Sequence, residues 1–560
     1  MEGIHDINTI IGAFYHWEEN TPDSIFLRQP KGSTWKEITF AEAGKEARRM
    51  ATALQAKGIK EGDHIGILSK NCYHWILADL AIMMTKCVSV PFYASLPKQQ
   101  LEEVIDLSDV KLVFLGKLDQ WGDKGQAIPE DVQSIKFPHY SGNAEVTVGE
   151  SWNNLVSSHE PLEGTPEPNP EDLWTIKFTS GTTGTPKGVM HIHNTPAQIM
   201  KDEYDSGWIG MYKMKEFRYF SFLPLNHVGE RLGVEVPCLF TGGSMSFADS
   251  LDTFAQNIQD TQPTLLFAVP RIWTKFYHGV MAKMSPKKFD RLMSIPIVSG
   301  IVRKKIRTAL GLRDAQVVAT GAAITPEFLK KWYRKLGLHL IEAYGMTEVC
   351  GSMTNGPEKH TPSDSVGRSI PRGEVKIHED TGEILMKTPY MMTGYYKNKE
   401  KTDEVLIDGW MHSGDRGTID DHGFVRVIGR VKDAFKTSKG SYVTPNPMEE
   451  VLAKNDYIEQ CCVAGLGIPQ PICLVNLSEK GMESDRQGVM ASLENDLKAL
   501  NADLAGYQKV STIIVNKDVW SESNKLLTPT LKVRRGAIDD KYGSSYLDWH
   551  EDESKVIWES

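Results

Sequence analysis

Between Thr39 and Leu115 the chain exchanges a helical hydrophobic period for an extended one several times, and this limits the folds open to it more than any other feature. Thr39 to Glu42 (T-F-A-E) has the Ser/Thr-x-x-Glu form of a capping box, so a helix starts there and runs to about Lys57, where Gly58 ends it. A strand follows at His64 to Leu68, a largely buried helix at Tyr73 to Thr85, a second strand at Val88 to Tyr93 and a third at Lys111 to Leu115. That order calls for a mainly parallel sheet with helices on its faces. The rhythm returns at Arg218 to Leu223, Ser244 to Phe247, Thr264 to Val269 and Ala315 to Thr320, so residues 1–430 are expected to form one large α/β body of mixed subdomains. After Arg430 the pattern shifts to shorter elements, and residues 431–560 suffice for a small α+β domain. Pro161 to Pro170 is too proline-rich for a helix or a central strand, and either divides two lobes or crosses the surface.

Composition narrows the functional classes. A net charge of −10 gives no overall positive field, which argues against nucleic acid as a main partner. The 40% hydrophobic and 24% charged content is that of an ordinary globular protein. Seven cysteines without C-x-x-C spacing fit neither a disulfide framework nor a structural zinc site, and point to a reducing cytoplasm. Met1 to Phe14 has no basic stretch leading into an apolar one, and no window reaches the roughly 18 apolar residues needed to cross a bilayer.

Lys177 to Val189 reads K-F-T-S-G-T-T-G-T-P-K-G-V, after a strand. Glycines let backbone N–H groups approach phosphate oxygens, and hydroxyls add donors. Thr179, Ser180, Gly181, Thr182, Thr183, Gly184 and Lys187 are therefore candidate phosphate ligands. A flexible polar turn would explain some of the glycine and threonine but not this density of donors. A Walker A loop does not fit, because Lys187 lies between Pro186 and Gly188.

This loop resembles the phosphate-loop signature of the adenylate-forming enzymes, which include acyl-CoA synthetases, firefly luciferase and peptide-synthetase adenylation domains. Further signatures of that superfamily follow in order: L-P-L-N-H-V-G-E-R from Leu223 to Arg231, G-A-A from Gly321 to Ala323, and Y-G-M-T-E from Tyr344 to Glu348. G-W-M-H-S-G-D follows at Gly409 to Asp415, G-R-V-K-D-A-F-K-T-S-K-G at Gly429 to Gly440, and L-T-P-T-L-K-V-R-R at Leu527 to Arg535. The resemblance implies the adenylate-forming fold, with a large N-terminal body and a small mobile C-terminal domain.

It also implies roles. Tyr344 would stack on adenine beside Gly345 and Met346, with Gly321, Ala322 and Ala323 also in the nucleotide site. Thr347 would contact phosphate, and Glu348 with Thr183 would hold Mg²⁺, which prefers oxygen ligands. Asp415 would accept hydrogen bonds from both ribose hydroxyls, with Arg430 near the ribose and phosphates. Lys432 matches the hinge about which the small domain turns, Lys436 and Gly440 fall in the segment bound to cofactor, and Lys532 matches the catalytic lysine. His227 would position the substrate carboxylate without acting as a base, since that carboxylate is already ionised at neutral pH. Taken singly, each has a plainer explanation: a core aromatic or histidine, a turn-capping aspartate, a solvated lysine.

The H-V-G-E-R run, the segment P-T-L-L-F-A-V-P-R-I-W from Pro263 to Trp273, and the L-T-P-T-L-K ending are similar to long-chain and very-long-chain acyl-CoA synthetases of the bubblegum type. Arg231 stands where some short-chain members carry an aromatic gate. The expected activity is ATP-dependent conversion of a long-chain fatty acid to acyl-adenylate and then to acyl-CoA, using ATP, Mg²⁺ and coenzyme A. A fatty acyl-AMP ligase that loads a carrier protein shares the first half-reaction. A non-catalytic nucleotide and lipid binder is the alternative outside enzymes, although it has no need of Lys532. The amphipathic product would allow peripheral membrane contact, but the sequence shows no clear amphipathic anchor.

Overall fold

The computed structural model describes residues 4–180, 186–439, 441–502, 504–528 and 532–559. Thr39 caps helix α1 (Phe40–Ala56) reciprocally: its Oγ1 accepts from the Glu42 amide, and Glu42 Oε2 accepts from the Thr39 amide at 2.9 Å. Strands β1 (His64–Leu68), β2 (Val88–Phe92) and β3 (Val110–Leu115) are parallel, with β1 between the other two. Helix α2 (Tyr73–Met84) has every residue buried, as its apolar run requires. Strand β4 (Leu173–Ser180) runs parallel to β2, and β5 (Pro186–Ile192) folds back antiparallel on β4. The order β5-β4-β2-β1-β3 thus forms the middle of an eight-stranded sheet.

A second sheet holds β6 (Leu265–Ala268), β7 (Val317–Gly321), β8 (Leu340–Met346) and β9 (Gly351–Asn355) as neighbours. The first three are parallel and β9 is antiparallel to β8. A third sheet joins Arg218–Ser221 and Ser244–Phe247 to the N-terminal hairpin Ile25–Lys31 and Thr34–Thr39. Three differences from the expected spans have local causes. The strand from Arg218 stops at Ser221 because buried Glu230 accepts from the Ser221 hydroxyl at 2.7 Å and the Phe222 amide at 3.0 Å, turning the chain. The strand expected from Ala315 begins at Val317, since the Ala315 amide closes a turn on the Leu312 carbonyl. Thr85 is the C-cap of α2 and not its last residue.

The chain divides into two compact units, the first made of the described residues up to Val375 together with Met386–Met411, the second of Lys376–Leu385 and the described residues from His412 onward. The proline-rich stretch 161–170 stays inside the first unit and crosses its surface, pinned by Tyr15 Oη donating to the Pro166 carbonyl and Arg48 Nε to the Gly164 carbonyl. Strands β10 (Trp410–Ile419) and β11 (Val425–Arg430) pair antiparallel, and from His412 onward this hairpin groups with the C-terminal part, so the division falls before residue 430. Beyond this hairpin the unit holds a four-stranded sheet, Ile458–Ala464, Ile472–Leu477, Ile513–Val515 and Val556–Trp558. Leu493 and Leu497 of the helix Arg486–Ala502 pack in its core.

Candidate active site

In the first unit the glycine-rich segment joins β4 to β5. Gly181, Thr182, Thr183 and Gly184 lie outside the described residues, as does Gly440, and of Ser180 only the backbone is described. The flanking residues are fixed by pairing: Thr179 sits opposite Lys187, and its Oγ1 reaches the Lys187 carbonyl at 3.5 Å. Lys187 Nζ stands 5.1 Å from the centroid of the Tyr395 ring. Tyr395 Oη donates to Glu348 Oε1 at 2.7 Å, and the Glu348 carbonyl accepts from the Met392 amide at 2.7 Å. His191 Nε2 lies 2.7 Å from the Thr347 carbonyl, which binds β5 to the residues after β8. Lys187, Thr347 and Glu348, up to 161 positions apart in sequence numbering, are thereby linked through Tyr395 and His191.

Tyr344, Gly345 and Met346 end strand β8, and Gly321 to Ala323 leave the end of neighbouring β7, where Gly321 pairs with Ala343. Both segments lie at carboxyl ends of adjacent parallel strands, the edge of an open α/β sheet where ligands bind. Tyr344 is half-buried, which suits a ring that stacks on a base. Gly345 sits at a bulge: a Cβ there would meet the Gly351 carbonyl oxygen at 1.8 Å, so only glycine fits. Ala322 has φ +66°, a backbone strain next to the candidate site.

His227 caps the turn Val228–Glu230, its Nδ1 accepting from the Gly229 amide at 3.0 Å. That contact puts the neutral imidazole proton on Nε2, a donor suited to a carboxylate. Hypothetical Cβ atoms on Gly229 and Gly233 would each stand 3.0 Å from the Phe267 ring of β6, so the His227 turn packs directly on the second sheet. Arg231 is fully buried in an ion-pair triad, bonded to Asp79 and, at 2.6 Å, to Glu235. It closes the interior here and is no surface gate. Burial pushes neighbouring Glu230 up to about 8.

In the second unit Asp415 and Arg430 face each other across β10 and β11, and Arg430 Nε donates to Asp415 Oδ1 at 2.8 Å. Lys532 lies within electrostatic reach of both. Desolvation and then the Arg430 charge lower its pKa, and Asp415 opposes them. A carboxylate and two cations thus converge from segments more than a hundred positions apart. Lys432 and Lys436 follow β11 on an exposed turn and a short strand, Phe435–Lys436. Arg535 holds this turn, bonding Asp433 at 3.2 Å and Glu449 at 2.6 Å.

Glu348 Oε2 is left for a cation while Oε1 takes the Tyr395 hydroxyl, and no group of three metal-ligating side chains occurs among the described residues. This donor set fits Mg²⁺, which keeps waters and substrate phosphates and takes only one or two protein carboxylates. Tyr395 and His191 had no motif to mark them, and Glu230 stood inside the H-V-G-E-R run without a role, because each acts on a partner set by the tertiary fold.

The sequence matches the AMP-binding enzyme family over residues 14–396 and the AMP-binding enzyme C-terminal domain over residues 432–545. It is 24% identical to the long-chain-fatty-acid–CoA ligase FadD15 of Mycobacterium bovis, covering 97% of this chain and 96% of that protein. It is 29% identical to the long-chain-fatty-acid–CoA ligase 5 of Rattus norvegicus, covering 90% and 82%. The fold is shared with the adenylation domain of the carboxylate reductase of Mycobacterium chelonae, with a TM-score of 0.80, 20% identity, and 97% and 91% of the two chains covered.

Proposed function

The chain belongs to the AMP-binding enzymes, an adenylate-forming family, and from that membership we propose that it is a long-chain fatty acid–CoA ligase that forms AMP. The observation that supports this reading is the Arg430–Asp415 pair across β10 and β11 at 2.8 Å, with both charges acting on Lys532. The choice of a long acyl chain draws on relatives named as long-chain-fatty-acid–CoA ligases and aligned over most of this chain.

In the first step the fatty acid carboxylate forms a bond to the α-phosphorus of ATP, and the bond to the pyrophosphate oxygen breaks. His227 orients the carboxylate through Nε2, while Lys532, Arg430 and the segment from Thr179 to Lys187 stabilise the charge that develops on the phosphoryl oxygens. Glu348, with Thr183, would hold Mg²⁺, which when bound neutralises phosphate charge. In the second step residues 431–560 turn about Lys432, Lys532 withdraws, and the segment containing Lys436 and Gly440 presents CoA. The thiol attacks the acyl carbonyl, the thioester forms, and AMP leaves. We assign the enzyme to the reducing cytoplasm, a reading supported by seven free cysteines, six of them buried.

The test incubates the protein with Mg·ATP, CoA and fatty acids from short to very long, reading acyl-CoA and AMP by mass spectrometry. Thioesters peaking at long chains are expected, and Lys532→Ala should slow ATP–pyrophosphate exchange by roughly a hundredfold or more. Acyl-adenylate without thioester would replace the reading by a carrier-protein ligase, and absence of AMP would overturn it.

A further inference from the structure

Residues 271–313 carry eleven lysines and arginines against one acid, Asp290, in a chain whose total charge is −10. They form three helices of the first unit: α3 (Pro270–Met281), α4 (Pro286–Met293) and α5 (Pro296–Ala309). Helix α5 buries Ser299 and Ile306 and packs on α4, whose Phe289 is also buried. The opposite side of α5 points Ile297 and Ile301, one helical turn apart, into solvent at 83% and 65% exposure, with Ile295 at 44% just before them. Lys304 and Lys305 continue that side, three and four positions after Ile301. Lys287, Lys288 and Arg291 are exposed on α4, and none of these five cations has an ion-pair partner among the described residues. Beside them a recess of about 290 Å³ is lined by Arg303, Lys304, Arg307 and Arg313.

We propose that this face of α4 and α5 docks on the anionic surface of a lipid bilayer, with Ile295, Ile297 and Ile301 entering the acyl boundary and the surrounding cations, including those of the recess, meeting lipid phosphates. Charge complementarity selects the occupant: even with Asp314, which pairs with Arg313 at 2.9 Å, set against the eleven cations, an excess of nine positive charges on a net anionic protein both attracts such a surface and orients the molecule on it. Shape separates a bilayer from an acidic protein. Protein anchors seat in apolar hollows, whereas here the apolar side chains protrude from a helix and the hollow beside them is cationic. The inference uses no residue of the nucleotide site and stands whether or not the ligase reading does. It also supplies an anchor that periodicity alone did not distinguish, because an exposed and a buried isoleucine look alike in a sequence.

The test is co-sedimentation of the full chain with phosphatidylcholine vesicles, with and without about one-third phosphatidylglycerol. At least tenfold stronger binding to the anionic vesicles is expected, and its loss near 1 M salt, where the screening length is about 3 Å. Ile297→Ser with Ile301→Ser, and separately Lys304→Glu with Lys305→Glu, should each weaken binding at least tenfold while leaving the melting temperature and circular dichroism unchanged. Equal binding to both vesicles, variants that bind like the parent, or a chain that ignores vesicles and instead binds an acidic carrier protein through these residues would each overturn the proposal.

Discussion

Lys177 sits two residues before Thr179 on β4 with 1% of its surface exposed, its ammonium 4.3 Å from the Trp174 ring centroid and without a hydrogen-bond partner. Burial lowers its pKa to about 7, with the nearby Arg231 charge adding to the fall and Cys350 opposing it. The unfolded chain therefore binds more protons than the folded one between about pH 7 and pH 10.5, and stability rises with pH across that window. Below the window both states are protonated, and the buried charge costs up to about 5 kcal/mol, the full value of the shift. Lys177→Met should accordingly raise the melting temperature near neutral pH, and the gain should shrink as the pH approaches about 10, which calorimetry at several pH values would measure. Arg231 makes the contrast: equally buried, it has Asp79 and Glu235 as partners, which raise its pKa against the opposing desolvation. Buried partners keep Arg231 charged, but desolvating all three groups offsets much of that attraction, so the triad's main consequence is the large cost of removing one member.

At the scale of elements, the candidate site depends on close backbone approach. Gly345→Ala would drive a Cβ into the Gly351 carbonyl across the β8–β9 bulge, moving Tyr344 and Thr347 together. We expect a loss of several kcal/mol in stability and of adenylation, read by thermal unfolding and pyrophosphate exchange. Gly279 provides the control. It lies in α3, and a Cβ there would meet nothing within 4 Å, so Gly279→Ala should add about 0.5–1 kcal/mol without altering activity. Most element positions were readable from the sequence, because capping boxes and apolar runs are local signals. The exceptions trace to side-chain and turn hydrogen bonds that periodicity does not register: Glu230 ended a strand that its own residues would have continued, and a turn at Leu312 delayed the strand that starts at Val317.

For the whole molecule, the decisive prediction concerns the two half-reactions. Lys432 lies on an exposed turn, and proline would freeze its φ and restrict Val431 before it. Lys432→Pro should leave ATP–pyrophosphate exchange within about threefold but cut thioester formation at least tenfold, because only the second step is proposed to need rotation there. Equal losses in both assays would remove the hinge role. The sequence by itself determined the α/β class, the order of the motifs and their membership in one family, since glycine spacing, hydroxyl density and hydrophobic period are properties of neighbours along the chain. Tertiary structure alone decided that Asp415 and Arg430 form a pair, that Tyr395 holds Glu348, that Arg231 is sealed in a triad, and that Ile297 and Ile301 face solvent. Those outcomes depend on which surfaces the sheets bring together and which they leave open, and burial and pairing are free energies of contact between residues far apart in sequence.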